Sequence, residues 1–279
     1  MKKVFFFLAT FLTLISVGCQ KDSSVTAVLT AEASLLRKIT ALKNAEGGVT
    51  IASNFGYNKK TKSYQVDATF KAGQIYDHIN VNDISLRPFQ PGNGLVSNQY
   101  FADENVATSQ FAKLFGKKVS VSLESLGAQP RTENSGSIST PLEMDLGITG
   151  NSGGGGSGSY VPRNVPLTWN ADPNNSNVYI LIMFEPERAL NFNFRGNSRV
   201  EKFYEVADNG SFTVPASDFN GIPDGAFIDI VVARGTTALI GGSSNGTGGT
   251  SITSYSSATV LASPSGGGGC TEGCIYVYD

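Results

Sequence analysis

Charged side chains are scarce in this chain. It has 21 Lys and Arg and 23 Asp and Glu in 279 residues, and the charged fraction of 16% is well below the roughly 25% of typical soluble domains. No dense block of basic residues occurs, which argues against nucleic acid or an anionic membrane surface as the main binding partner. Most polar side chains belong to Ser, Thr and Asn, and the chain also contains 32 glycines. This composition is frequent in secreted β-rich proteins.

Histidine is almost absent, since His78 is the only one. A Ser-His or Cys-His catalytic arrangement would have to use it, yet no Gly-x-Ser-x-Gly motif or cysteine nucleophile accompanies it. A zinc site is equally unsupported, because four ligands would need carboxylates beside one His and two nearby Cys. We therefore expect no catalytic residue of these types, no metal and no cofactor.

Carboxylates leave one enzymatic alternative open. Glycoside hydrolysis needs only two acids about 5 to 10 Å apart, and Glu185 and Glu187 after a buried strand are the most suggestive pair. Their position beside Pro186 favours exposed rim charges. Asp218 and Asp224 lack the spacing of a calcium loop and are interpreted as turn residues.

Long apolar runs are missing after the N-terminus. Residues 4–17 are apolar apart from two Thr and one Ser, and they follow Lys2 and Lys3. This run is too short to span a bilayer and has the form of a cleaved signal peptide. No later segment approaches the roughly 20 residues that a transmembrane helix requires.

The end of this run carries a resemblance. Gly18 directly before Cys19 resembles the lipobox of bacterial lipoproteins, and Gln20-Lys21-Asp22 looks like the Lys-plus-acid signal of Bacteroidota surface lipoproteins. The resemblance implies that residues 1–18 are a signal peptide and that Cys19 is acylated. It also implies that the protein is held by lipid in the outer membrane, exposed on the cell surface.

Only three cysteines are present. With Cys19 assigned to lipid, Cys270 and Cys274 form an even pair in an exported chain, which predicts a disulfide. The residues after Cys274 alternate as a short strand. That strand is expected to pair with a sheet edge of its own chain, and the alternative is addition to another subunit.

The segment at residues 19–45 is interpreted as a tether followed by a short helix. Within residues 31–43, the apolar side chains recur at helical spacing, which predicts one apolar stripe. We expect this helix to pack on the first domain, and the alternative is a helix that binds a partner. The stripe consists of Leu35, Leu36, Ile39 and Leu42.

Period-2 alternation predicts strands in the first half, with a hairpin over residues 49–71 and single strands over 79–88, 118–126 and 141–149. A short helix is expected after Asp103, its predicted N-cap. Residues 151–159 contain five Gly and three Ser, so we interpret them as a linker, with a surface loop as the alternative.

The second half repeats the β character. Residues 178–186 form a continuous apolar run typical of a strand buried on both faces. Asp208-Asn209-Gly210 predicts a tight hairpin, and further strands are expected over 225–236 and 251–262. The segment 208–235 is similar to immunoglobulin-like extracellular modules, in which a strand ends in a Pro-containing turn and the next closes in Arg.

The predicted fold is therefore all-β, with two antiparallel immunoglobulin-like β-sandwich domains and one or two short helices. The N-terminal domain is expected at 46–150 and the C-terminal domain at 160–265. Residues 266–279 form a Gly-rich tail with the Cys pair and a short strand.

Aromatic side chains are the candidates for ligand binding, because flat rings stack on sugar faces. Trp169 is the single tryptophan, although its alternation with apolar neighbours favours a core position. Loop tyrosines are the other candidates: Tyr57, Tyr64 and Tyr76, with Tyr100 and Tyr160 near loops as well.

The leading hypothesis is a lipid-anchored surface protein that binds a glycan or a protein and has no catalytic activity. One alternative is a fimbrillin-like subunit that assembles by strand addition. The other is a carboxylate-dependent glycoside hydrolase.

Overall fold

The computed structural model describes residues 47–56, 62–71, 74–89, 98–125, 133–148, 158–241, 249–265 and 274–278. The predicted signal peptide, Cys19, the helix at 31–43, Tyr57 and Cys270 lie outside these ranges, as does most of 151–159. Strands dominate the described residues, so the all-β, sandwich-like fold class is confirmed. Within the described ranges, no helix has the length and apolar character to cross a membrane.

The described residues of the first half form one short helix, α1 (Thr108–Ala112), and eight strands. The strands are β1 (Gly47–Phe55), β2 (Lys62–Phe70), β3 (Tyr76–Val81), β4 (Ile84–Pro88), β5 (Gln99–Ala102), β6 (Lys118–Ser125), β7 (Glu133–Ser139) and β8 (Leu146–Ile148).

The described residues of the second half form eight more strands and two 3₁₀ segments, Ala189–Phe194 and Ala216–Phe219. The strands are β9 (Gly158–Pro162), β10 (Val165–Trp169), β11 (Asn177–Phe184), β12 (Val200–Ala207), β13 (Ser211–Val214), β14 (Ile228–Ile240), β15 (Thr250–Ser265) and β16 (Cys274–Tyr278).

Thirteen of the strands in the described ranges join in one large sheet. Eleven follow the order β12-β11-β14-β15-β1-β2-β5-β4-β3-β6-β7, and β16 and β9 extend from β15. The remaining strands form a small sheet in the order β13-β10-β8. One pair departs from the antiparallel prediction, because β1 runs parallel to β15 with Gly47 opposite Thr250 and Phe55 opposite Ala258.

Two main apolar cores lie within this arrangement. The first collects the inward residues of β1 to β7, such as Val119, Val121 and Leu123, which alternate with serines along β6 as the sequence predicts. The second lies between the small sheet and the strands β11, β14, β15 and β16.

Strands from both sides of the predicted linker contribute to the same sheets and cores. Strand β8, which precedes residues 151–159, pairs with β10 and places Leu146 in the second core. Strands β14 and β15 serve both cores, since Ile240 and Ile252 lie in the first while Ile230 and Val260 lie in the second. The boundary at 151–159 stays a prediction, but the described strands on its two sides share one sheet.

Three local predictions were wrong. The strand expected over 79–88 is two strands, because Asn82 takes a positive φ of 49° in a turn between β3 and β4. The strands around Asp208-Asn209-Gly210 do not form a hairpin, since β12 pairs with β11 in the large sheet and β13 pairs with β10 in the small one. The N-cap of α1 is Ala107 rather than Asp103.

The strand at the end of the chain pairs within the molecule. Strand β16 lies between β15 and β9, with Ala262 opposite Val277 on one side and Tyr160 opposite Tyr276 on the other. Ile275, with no exposed surface, faces the second core. Both edges of β16 are therefore occupied by strands of its own chain.

Candidate functional site at the junction of the two cores

An open cleft of about 430 Å³ lies where the two cores meet. This volume falls within the range of small-ligand sites. The extended segment 140–145 between β7 and β8 forms its floor, and the β1–β2 end, α1 and the residue after β10 form its walls. The lining residues are Phe55, Lys62, Ala112, Phe115, Leu142, Glu143, Met144, Asp145 and Asn170.

A buried arginine fixes the backbone of the floor. Arg234 on β14 has no exposed surface, and its Nη1 lies 3.0 Å from Oδ2 of Asp208, which is equally buried. Its Nε donates to the carbonyl of Leu142 at 3.2 Å, and its Nη2 donates to Oδ1 of Asn170 at 2.8 Å. One guanidinium therefore orders segment 140–145 and the end of β10 together, which is possible because its five donors lie in a rigid plane.

Polar side chains satisfy the remaining backbone groups of the floor. Asp172 accepts from the amide of Leu142 at 2.8 Å, and Ser256 Oγ accepts from the amide of Met144 at 2.7 Å. Asn170 donates to the carbonyl of Glu143 at 2.9 Å. The extended segment thus obtains from side chains the hydrogen bonds that sheet partners would otherwise provide.

Glu143 is the electrostatic centre of the cleft. Its Oε2 lies 2.7 Å from Nζ of Lys62, and its Oε1 accepts from the hydroxyl of Tyr64 at 2.5 Å. Burial and then the hydrogen bond to this carboxylate raise the pKa of Tyr64 well above its usual value. The phenol therefore stays neutral and keeps donating across the physiological range.

Aromatic rings flank these charges. The Tyr64 ring stacks on Phe111 at 6.4 Å between centroids and lies 6.0 Å from Phe115. Nζ of Lys62 lies 4.5 Å from the centroid of Phe55, within the distance of a cation–π contact. The cleft therefore combines partly exposed apolar rings with an ammonium group, two carboxylates and an amide.

This combination suits a ligand with both apolar faces and hydroxyl groups. Asp145 is exposed at the end of the floor, and its carboxylate can accept hydrogen bonds from such a ligand. Asn170 is exposed beside it and already bonds Arg234 and the floor. Glu143 already accepts two hydrogen bonds, so it orders Lys62 and Tyr64.

One of the ligand-binding residues suggested by the sequence belongs to this region. The hydroxyl of Tyr64 donates a hydrogen bond to Glu143 at the edge of the cleft. Trp169 instead lies in the second core at 6% exposure, and its Nε1 donates to Oδ1 of Asp208 at 2.8 Å. Tyr76 packs 4.4 Å from the ring of Phe70 in the first core.

Two further tyrosines lie elsewhere. Tyr100 is buried, and its hydroxyl donates to the carbonyl of Tyr76 at 3.1 Å. Tyr160 on β9 lies 4.9 Å from Tyr276, which lies 4.7 Å from Tyr278. The last two pairs meet edge to face, so these rings pack on one another and do not present coplanar faces to a ligand.

The residues considered for catalysis lie apart from the cleft. The His78 side chain is 62% exposed, and its Nε2 lies 4.0 Å from Asp77. Glu185 lies 3.6 Å from Arg199, while Glu187 is exposed. Asp218 accepts from the hydroxyl of Tyr204. Among the described residues, no three His, Cys, Asp or Glu side chains gather as metal ligands.

The cysteine assignments stay predictions. Cys274 is buried at the start of β16, whereas Cys270 and Cys19 lie outside the described ranges. The lipid and the disulfide are therefore not tested by the geometry of the described strands.

Sequence reasoning missed most of the cleft. Lys62, Glu143 and Asn170 belong to three segments far apart in the chain, and none stands in a recognisable motif. Arg234 was visible only as a charge inside an apolar strand, a signal that a buried counter-ion must exist nearby. No protein-family model and no curated protein matches this chain.

Proposed function

We propose that this chain is a lipid-anchored cell-surface protein that binds a glycan in the junction cleft and has no catalytic activity. The observation that carries the proposal is the convergence of Phe55 and Phe115 with Lys62, Asp145 and Asn170 around one cleft. Sugars present apolar ring faces and hydroxyl groups together, so a site with both kinds of partner fits them. The low charge also favours a neutral ligand over a highly charged one.

The cleft is ordered before any ligand arrives. Arg234, Asp172 and Ser256 hold the floor by hydrogen bonds from buried side chains, so little backbone entropy remains to be lost on binding. Such a floor is expected in a binding module.

Neither alternative has a specific observation in its favour. Strand addition through the tail would require a free β16, and both edges of β16 are paired in the same chain. Hydrolysis would require a proton donor and a second carboxylate facing one bond, while Glu143 is held by Lys62 and Tyr64. We therefore retain binding as the proposed function.

Binding is tested on an array of polysaccharides with the full chain and the variant Asp145→Ala. Removing this carboxylate from a ligand hydroxyl is expected to weaken binding roughly 10- to 100-fold, because a hydrogen bond to a charged group contributes about 1.5–3 kcal/mol. Asp83→Ala, in the exposed β3–β4 turn, is the matched control and should bind normally. Absence of any hit rejects the glycan proposal. If both variants lose glycan binding equally, or if neither loses it, the cleft is rejected as the binding site.

The anchor is tested separately by metabolic labelling with a fatty acid. The wild-type protein should carry label and Cys19→Ser should carry none, because the thiol is the proposed acylation site. Brief protease treatment of intact cells should remove the protein, as expected for surface display. Label that persists in Cys19→Ser would contradict the anchor.

A further inference from the structure

A third buried cluster lies on the face of the large sheet that points away from both cores. We call it the outer cluster, and none of its members is more than 4% exposed. It consists of Ala52, Leu181, Met183, Val231, Ala233 and Tyr255.

The alternation of side chains along each strand places this cluster on the outer face. Leu181 stands between Ile180 and Ile182, which both lie in the second core. Val231 stands between Ile230 and Val232, which also lie in the second core. Because neighbouring residues of a strand point to opposite faces, the outer cluster faces away from that core.

The pairing of the strands makes this face continuous. Leu181 lies opposite Val231, and Ala52 lies opposite Tyr255. Ser257, 2% exposed on the same face, lies opposite Ala233 and donates to Oδ1 of Asn54 at 2.5 Å. The buried face therefore extends over the four adjacent strands β11, β14, β15 and β1.

Within the described residues, the apolar partners of the cluster come from the same sheet. They are Tyr179 on β11 and Phe203 on β12. A sheet cannot bury its own face, so a buried face requires a second layer. The chain between β11 and β12 reaches one end of the cluster, where Nη2 of Arg199 lies 3.5 Å from the sulfur of Met183.

We propose that residues 31–43 form this second layer. They lie outside the described ranges, but their sequence carries an apolar stripe of Leu35, Leu36, Ile39 and Leu42 at helical spacing. A helix of this length measures about 20 Å, and four adjacent strands span about 15 Å between their axes. The stripe and the face therefore match in both chemistry and size.

The position in the chain permits this contact. Only residues 44–46 separate the segment from β1, whose own Ala52 belongs to the outer cluster. For the anchored protein proposed above, on which this consequence rests, residues 20–30 then remain as the free tether. Fully extended they reach at most about 40 Å, which keeps the protein close to the membrane.

The test measures thiol labelling at Ala233→Cys in the full chain, with the chain lacking this substitution as the background. The cluster is expected to protect the thiol, and adding Ile39→Asp should accelerate labelling about tenfold or more, because a carboxylate does not remain in an apolar contact. Arg37→Asp introduces the same charge on the opposite side of the stripe and should leave the rate unchanged.

The alternative outcomes are decisive. Fast labelling of Ala233→Cys without any change in residues 31–43, or equal rates with Ile39→Asp and Arg37→Asp, would overturn the proposal. Ser257→Cys provides a second reporter on the same face if Ala233→Cys does not fold. The readout involves neither glycan nor lipid, so its failure is distinguishable from failure of the proposed function.

Discussion

At the scale of single residues, Arg234 determines the most about the candidate site. It is a charge inside an apolar strand, and it is stable there because Asp208 neutralises it and three polar groups accept its other protons. The same contacts order the cleft floor. Stability and the geometry of the cleft floor therefore depend on the same guanidinium.

Arg234→Met is expected to lower the free energy of unfolding by about 3–5 kcal/mol, because it leaves Asp208 buried without its counter-ion. Urea unfolding measures this change. Arg195→Met removes an arginine whose contact with Phe192 is on the surface and should cost about 0.5 kcal/mol or less. Similar losses for the two variants would show that the Arg234 network contributes no special stability.

At the scale of elements, β16 links the end of the chain to the second core. It supplies Ile275 and Val277 to that core, and its outward tyrosines pack in a row with Tyr160. Edge strands invite unwanted pairing, and here β9 completes the pairing of β16. The tail is therefore an integral strand of the sheet.

Ile275→Ala should cost about 2–5 kcal/mol, as expected for deletion of a fully buried aliphatic side chain. Leu239→Ala removes a similar side chain from β14 that is 46% exposed, and its cost should be clearly smaller. Chemical denaturation of both variants gives the comparison. A neutral Ile275→Ala would mean that β16 is not seated in the core in solution.

At the scale of the whole molecule, the two cores are coupled by shared strands. Strand β15 is 16 residues long and pairs with β14 over 13 of them, so it passes from the first core into the second. Two domains joined only by a Gly/Ser linker would lack such a strand. We therefore expect the cores to unfold together.

Trp169 lies in the second core and reports on it alone. Ile79→Ala, in the first core, should nevertheless shift the unfolding transition seen by Trp169 fluorescence, because the shared strands make unfolding cooperative. The transition seen by circular dichroism should move by the same amount. A Trp169 transition that does not move would indicate two independent domains.

The amount predictable from sequence differs between these scales. Strand existence was predicted well, because alternation as in β6 and the continuous apolar run of β11 are local properties. The pairing of the strands was not predicted. The sequence around Asp208 is typical of a hairpin, yet the strands on its two sides belong to different sheets. The buried Arg234–Asp208 pair explains this, because it places Asp208 in the interior between the sheets.

The sequence by itself determined the β-rich class and the apolar faces of most strands, because these depend on neighbouring residues; the lipid signal at Cys19 stays a prediction. Only the tertiary structure decided that β1 pairs in parallel with β15, that β16 is an interior strand, and that Lys62, Tyr64, Glu143 and Asn170 meet at one cleft. These contacts join segments separated by 25 to more than 200 residues. No local pattern encodes them, because they arise from the packing of the whole sheet.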